Sequence, residues 1–165
     1  MPNSSIIGKA KNKIVKEFIK KQEIVNGIDS TKINKRQSEK LIGTHIFNYH
    51  QNPNTLDETG TFICVCVQVP DTFFRSEPYV KPNVEVYIYS HEKHMKVENI
   101  PKVTQNRNDY LSEQIDLLLN GRTDFGIGQL KLIQNTEGAV ADKYLYRKLV
   151  FEALDLGNSL CEEID

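Results

Sequence analysis

Apolar residues at Ile7, Ala10, Ile14 and Phe18, widened by Val15 and Ile19 and followed by Val25, recur at helical spacing. They predict an amphipathic helix from about Ser5 to Val25. Ser4 or Ser5 is placed to cap its free amides, and Gly27 to take a left-handed turn at its end. Residues 26–40 are polar and read as a loop, with room for one helical turn around 37–41. The pattern then changes. Thr44–Tyr49, Thr61–Val69 and Val84–Ser90 are rich in β-branched and aromatic residues and predict three strands, broken by Gln51-Asn-Pro-Asn-Thr55 and by Pro70-Asp71. The second is nearly all apolar, as in a central strand covered on both faces. The third alternates, with Val84, Val86 and Ile88 on one face and Glu85, Tyr87 and Tyr89 on the other.

Between the second and third strands, residues 71–82 carry Phe73, Phe74, Pro78, Tyr79 and Pro82. This segment is too irregular for a central strand and too aromatic for a solvated linker. It reads as an extended arm that packs on its own domain or on a neighbour. Leu111, Ile115, Leu118 and Leu119 then form an apolar helical face and predict a helix over Asn108–Asn120. Asn108 is its expected N-cap, with Asp109 and Glu113 near the positive end and Asn120-Gly121 as the stop. Gly128–Gln134 and Tyr144–Leu156 predict two more strands, joined by a turn-rich link that begins at Asn135-Thr-Glu-Gly138. The order helix, three strands, helix, two strands predicts an α+β fold. The expected sheet is mixed or antiparallel, of four to five strands, with the N-terminal and central helices on one face. One domain over 1–157 and an acidic tail over 158–165 complete the division.

Charge changes this picture more than composition does. The net charge is only −1, which argues against a protein that coats nucleic acid. Its distribution is uneven. Residues 1–50 carry ten Lys/Arg against four Asp/Glu, residues 51–106 five against seven, and residues 107–165 six against eleven. Lys9, Lys11, Lys13, Lys16, Lys20 and Lys21 make the first helix basic outside. A bipolar chain of this kind can attract its own copies, and a solvated basic helix and acidic tail are the plainer alternative. No apolar run reaches the roughly 18 residues of a membrane span, and the first residues lack the apolar core of a signal peptide. No membrane is expected as a partner. Cys64, Cys66 and Cys161 are an odd set, which argues against a disulfide framework, and the first two read as buried strand residues.

His91-Glu-Lys-His94 has an H-x-x-H spacing, and Cys64 and Cys66 put two thiols on one strand face, as a zinc site would need. The thiols lie mid-strand and the histidines beyond the end of the next strand, so core cysteines and loop histidines are the plainer reading. Asp71, Glu85, Glu92 and Lys93 form the best set for a metal-dependent nuclease, without the residue that usually separates the last two. Gly126-Ile-Gly128 is half of a phosphate-loop fingerprint and serves more simply as a turn. No catalytic residue, cofactor or metal is therefore expected. The features left over suit assembly: the aromatic arm with Phe73, Phe74, Arg75 and Tyr79, and the polar loop with Lys32, Lys35 and Arg36.

Several segments together resemble a known family. They are the N-terminal helix, Leu41-Ile-Gly-Thr-His-Ile-Phe-Asn-Tyr49, Val84-Glu-Val-Tyr-Ile-Tyr-Ser-His91, Arg107-Asn-Asp-Tyr-Leu-Ser-Glu-Gln-Ile-Asp116 and Tyr146-Arg-Lys-Leu-Val-Phe-Glu-Ala-Leu-Asp155. In element order and apolar pattern the chain is similar to small neck proteins of tailed bacteriophages, the tail terminators and head–tail joining proteins. The resemblance implies a subunit without enzymatic activity, made in the host bacterial cytoplasm and placed in the virion at the head–tail junction. It further implies a ring, commonly of six copies, that caps the tail tube and meets the connector while DNA passes through the lumen without specific binding. Another neck or connector adaptor protein, or a metal-dependent nuclease, is the alternative. The very basic first helix departs from the family pattern.

Overall fold

The structure, a computed structural model, describes residues 4–56, 59–69 and 82–154. Its helices are α1 (Ser4–Lys20), α2 (Gln22–Ile28) and α3 (Arg107–Leu119). Its strands are β1 (Ile46–Phe47), β2 (Thr61–Gln68), β3 (Asn83–His91), β4 (Gln129–Val140) and β5 (Tyr144–Leu154). They form one sheet in the order β1-β2-β3-β5-β4, parallel between β1 and β2 and antiparallel elsewhere. The α+β class, the mixed five-stranded sheet and the helices on one face agree with the sequence pattern. The acidic tail and Cys161 lie outside the described residues.

The helical face is the main core. Ala10, Ile14 and Phe18 of α1, Ile24 and Ile28 of α2, and Leu111, Ile115 and Leu119 of α3 close over Ile63, Val65, Val84, Val86, Ile88, Leu149 and Phe151. Alternation along the strands sends Phe62, Cys64, Tyr89 and Tyr144 to the other face, where Phe47 joins them. After β1 the chain crosses over this second face, and the Gln51 amide meets the Cys64 sulfur at 3.4 Å. Thr61–Val69 was expected to be covered on both sides, and most of β2 is buried for this reason.

Several expected boundaries are corrected. The first helix is two helices, because Lys21 is extended at φ −82°, ψ 106°. A continuous helix over 5–28 would run about 36 Å, past the end of β2, the strand under α1, which is about 26 Å long. The break instead folds Ile24, Val25 and Ile28 back onto the core. Gly27 lies inside α2, not at its stop. A Cβ there would stand 2.5 Å from Leu111 Cδ2, so glycine serves close helix packing. The left-handed residue that ends α2 is Asp29, at φ 48°. The expected strand 44–49 pairs only at Ile46 and Phe47. The N-cap of α3 is Asn106, which accepts from the Asp109 amide at 2.9 Å, whereas Asn108 is buried and donates to the Leu145 carbonyl. The letters read as a turn at 135–138 continue β4, paired through Thr136↔Lys148 and Gly138↔Tyr146. Polar residues are at home there because β4 is a sheet edge open to solvent. The hairpin turns later, around Ala141 at φ 56°.

Arg107 joins these parts. Only 2% exposed, its guanidinium donates from Nε to the His94 carbonyl (2.6 Å), from Nη1 to that of Gly27 (2.6 Å) and from Nη2 to that of Lys96 (2.9 Å). Asp29 stands 3.9 Å away as its counter-charge. Burial lowers the Arg107 pKa from its ordinary value, and Asp29 opposes that shift. Arg107→Met should leave three carbonyls, that of Gly27 fully buried, without their donor and destabilise the fold by about 3 kcal/mol in urea unfolding. Arg107→Lys should recover only part of this, since an ammonium lacks the planar fork that reaches three acceptors.

Candidate subunit-contact surfaces

Burying one side of α1 leaves Lys9, Lys13, Lys16 and Lys20 in a single line along the opposite side, all exposed. At 1.5 Å per residue this line is about 16 Å long. Part of its charge is compensated. Lys13 lies 3.6 Å from the Asp124 carboxylate and Lys20 2.8 Å from Glu17. Arg122 bridges Glu17 (3.0 Å) and Asp124 (2.6 Å) while lying over the Phe125 ring. The hydrogen bond from Arg122 is the main cause that holds the Asp124 carboxyl down at about 2. Among the described residues no carboxylate pairs with Lys9 or Lys16. A 3₁₀ turn, Lys35–Leu41, contacts α1, capped by Asn34 and anchored by buried Leu41. Lys35 and Arg36 are exposed on that turn and Lys32 on the stretch leading to it. Phe73, Phe74, Arg75 and Tyr79 lie outside the described residues.

The outer side of α3 has the opposite character. Asp109, Glu113 and Leu117 follow one another along it, Asp116 is half-buried beside them with its Oδ1 enclosed, and Leu117 is 67% exposed. Arg147 of β5 pairs with Asp109 and with Glu137 of β4 (3.0 Å). A shallow cavity of about 290 Å³ lies between α3 and the β4–β5 hairpin. Ile133, at a bulge in β4, is 51% exposed.

The second face of the sheet is aromatic. The Tyr87 and Tyr89 rings stack at 6.0 Å, and His50 tilts over Tyr87 at 4.8 Å with its Nε2 3.0 Å from the Tyr89 hydroxyl. Tyr146 covers Gly138, where a Cβ would stand 2.9 Å from the ring. Lys148 pairs with Glu85 at 3.2 Å and sits over Tyr87. Burial pushes the Cys64 thiol up to about 12, so it holds essentially no thiolate at neutral pH and is a poor nucleophile.

The residues weighed for metal or nuclease chemistry are not brought together. His91 Nδ1 accepts from the Lys93 amide and caps a 3₁₀ turn, and His94 Nδ1 meets Thr61 Oγ1 at 2.7 Å. Cys64 is three residues farther along β2, about 10 Å away. Glu85 lies near the start of β3 and Glu92 just past its end, seven positions apart or about 23 Å of strand. Asp71 lies outside the described residues. Among the described residues no group of three or more His, Cys, Asp or Glu is placed to hold a metal, and no helix is long and apolar enough to cross a membrane. Gly126 and Gly128, at φ 78° and 95°, form the turn that enters β4.

A protein-family model, YomW, matches residues 10–153, from the α1 core to the last core residue of β5. The chain belongs to the YomW family. That family is phage-associated, in agreement with the broader part of the resemblance noted above. A search of the curated proteins finds no match, and neither does a search of the solved structures.

In this YomW-family chain, sequence reasoning found the basic exterior of α1 and missed the exposed side of α3. The available signal was Leu117-Leu-Leu119, three adjacent apolar residues of which one helical face can bury only two. It also took His94 for a loop residue. Burial first, and the nearby Arg107 charge second, lower the His94 pKa to about 4, although Asp29 stands 4.0 Å away and opposes the shift. The unfolded chain therefore binds this proton first as pH falls from about 6.5 to 4, and stability falls with it. The loss should be on the order of 2 kcal/mol in urea midpoints measured across that range, and His94→Gln should flatten the slope.

Proposed function

We propose that this YomW-family protein is a structural component of a phage virion that forms a ring at the head–tail junction, in the role of a tail terminator. In this reading, copies of the chain, six in the expected ring, cap the tail tube and meet the connector, and DNA passes through the lumen without specific contacts. The work is done by shape and by subunit contact, and it needs no reacting group, cofactor or metal.

One observation carries the reading: the two lateral sides of the subunit are unlike. The β1–β2 side bears the basic α1 and its neighbouring turn, and the β5–β4 side bears the carboxylates of α3 and a long edge strand. A closed ring requires such heterologous contact, one surface of each copy meeting a different surface of the next. Phage association of the family and the α+β fold with helices on one face support it further. Native mass spectrometry of the full chain should give a closed species of six 18.9 kDa copies. A protein that stays single at high concentration would sink the proposal. Antibody labelling of intact particles should mark the head–tail junction, and a ring labelled elsewhere would reject the terminator role.

A further inference from the structure

We infer that neighbouring copies meet head to tail through the helical layer, with the lysine line of α1 on one copy seated against the outer side of α3 on the next. This rests on the ring reading and names its contact. The sheet order puts β1 and β2 at one side and β5 and β4 at the other. Helix α1 packs on β2, and α3 on β3, β5 and β4, while residues 122–125 after α3 reach α1 through the Arg122–Glu17 and Lys13–Asp124 pairs and leave Lys9 and Lys16 uncovered. On α1, Lys9 and Lys16 have no carboxylate partner among the described residues. On α3, exposed Glu113 lies one turn before Leu117, the most exposed large apolar side chain of the described residues.

Three physical points fix the pairing. Two α1 sides brought together set lysine against lysine, and two α3 sides set carboxylate against carboxylate. Symmetric, twofold association is therefore repelled at both surfaces, and only α1 against α3 joins opposite charges. The lengths agree, about 16 Å for the lysine line and about 12 Å from Asp109 to Leu117. An apolar anchor within a charged surround is also the usual anatomy of a protein contact. Two helix faces alone fall short of the roughly 1,000 Å² of a stable interface. The turn carrying Lys35 and Arg36 on one side and the β4 edge on the other supply further area.

The test uses the full chain in two variants, Lys9→Glu/Lys16→Glu and Glu113→Lys/Leu117→Lys, all at exposed positions. Thermal melts should match the unaltered protein, since none of the four side chains is in the core. In sedimentation velocity each variant alone should lose assembly, with dissociation constants raised about tenfold or more. Their equimolar mixture should regain it, because each altered face then meets an oppositely charged one, a rescue that a misfolded chain cannot give. Assembly of either variant at the unaltered level, or no recovery in the mixture of two folded variants, overturns the inferred contact while the ring reading stands. If the unaltered protein itself never assembles, the ring reading fails and this contact with it. Retention of duplex DNA that disappears only in the Lys9/Lys16 variant, with assembly intact, would assign the lysine line to nucleic acid and overturn the inference.

Discussion

Everything in the helical layer depends on where one buried cation finds its acceptors. Arg107 sits at the first turn of α3, where its own charge is unwelcome beside the positive end of a helix dipole. It is kept there by the carbonyl of Gly27 at the negative end of α2 and by two carbonyls of the chain that leaves β3. Orphan acceptors at a helix end need donors, and a buried guanidinium needs acceptors; each requirement is met by the other. The same contact draws α2 onto α3 so closely that only a glycine fits at position 27. Asp29, in its left-handed conformation, ends α2 and leaves a carboxylate within reach of the cation.

The sheet separates two kinds of packing. Toward the helices it is aliphatic and fully enclosed. Away from them it is built from stacked tyrosines, histidine and an ion pair, groups that tolerate partial contact with water through a hydroxyl or an amine while their rings exclude it. Cys64 belongs to this second layer as a small apolar filler, with its reactivity suppressed by its surroundings.

Periodicity made the element order legible: the helical stripe of residues 7–19, the alternation of 84–90 and the apolar face of 111–119 all appear where their spacing places them. What was not legible depends on partners distant in sequence. The break at Lys21 follows from the limited length of β2 below it, and β1 is short because the chain leaves the edge to cover Cys64. The polar stretch 135–138 looks like a turn until its partner in β5 is known, since backbone pairing on an open edge asks little of the side chains. For the contact surfaces, the lysines of α1 announce themselves at spacings of four, three and four. The exposed leucine of α3 is legible only by exclusion, as the one of Leu117, Leu118 and Leu119 that falls off the apolar face set by Leu111 and Ile115.

The bulge between Leu132 and Gln134 gives the outermost strand a role in how crowded chains behave. A straight, unpaired border of twelve residues would invite any passing extended peptide to zip along it. The extra residue shifts the ladder part-way, so an intruder in step with one half falls out of step with the other. Where chains are crowded, this margin thus resists indiscriminate stacking into fibrils.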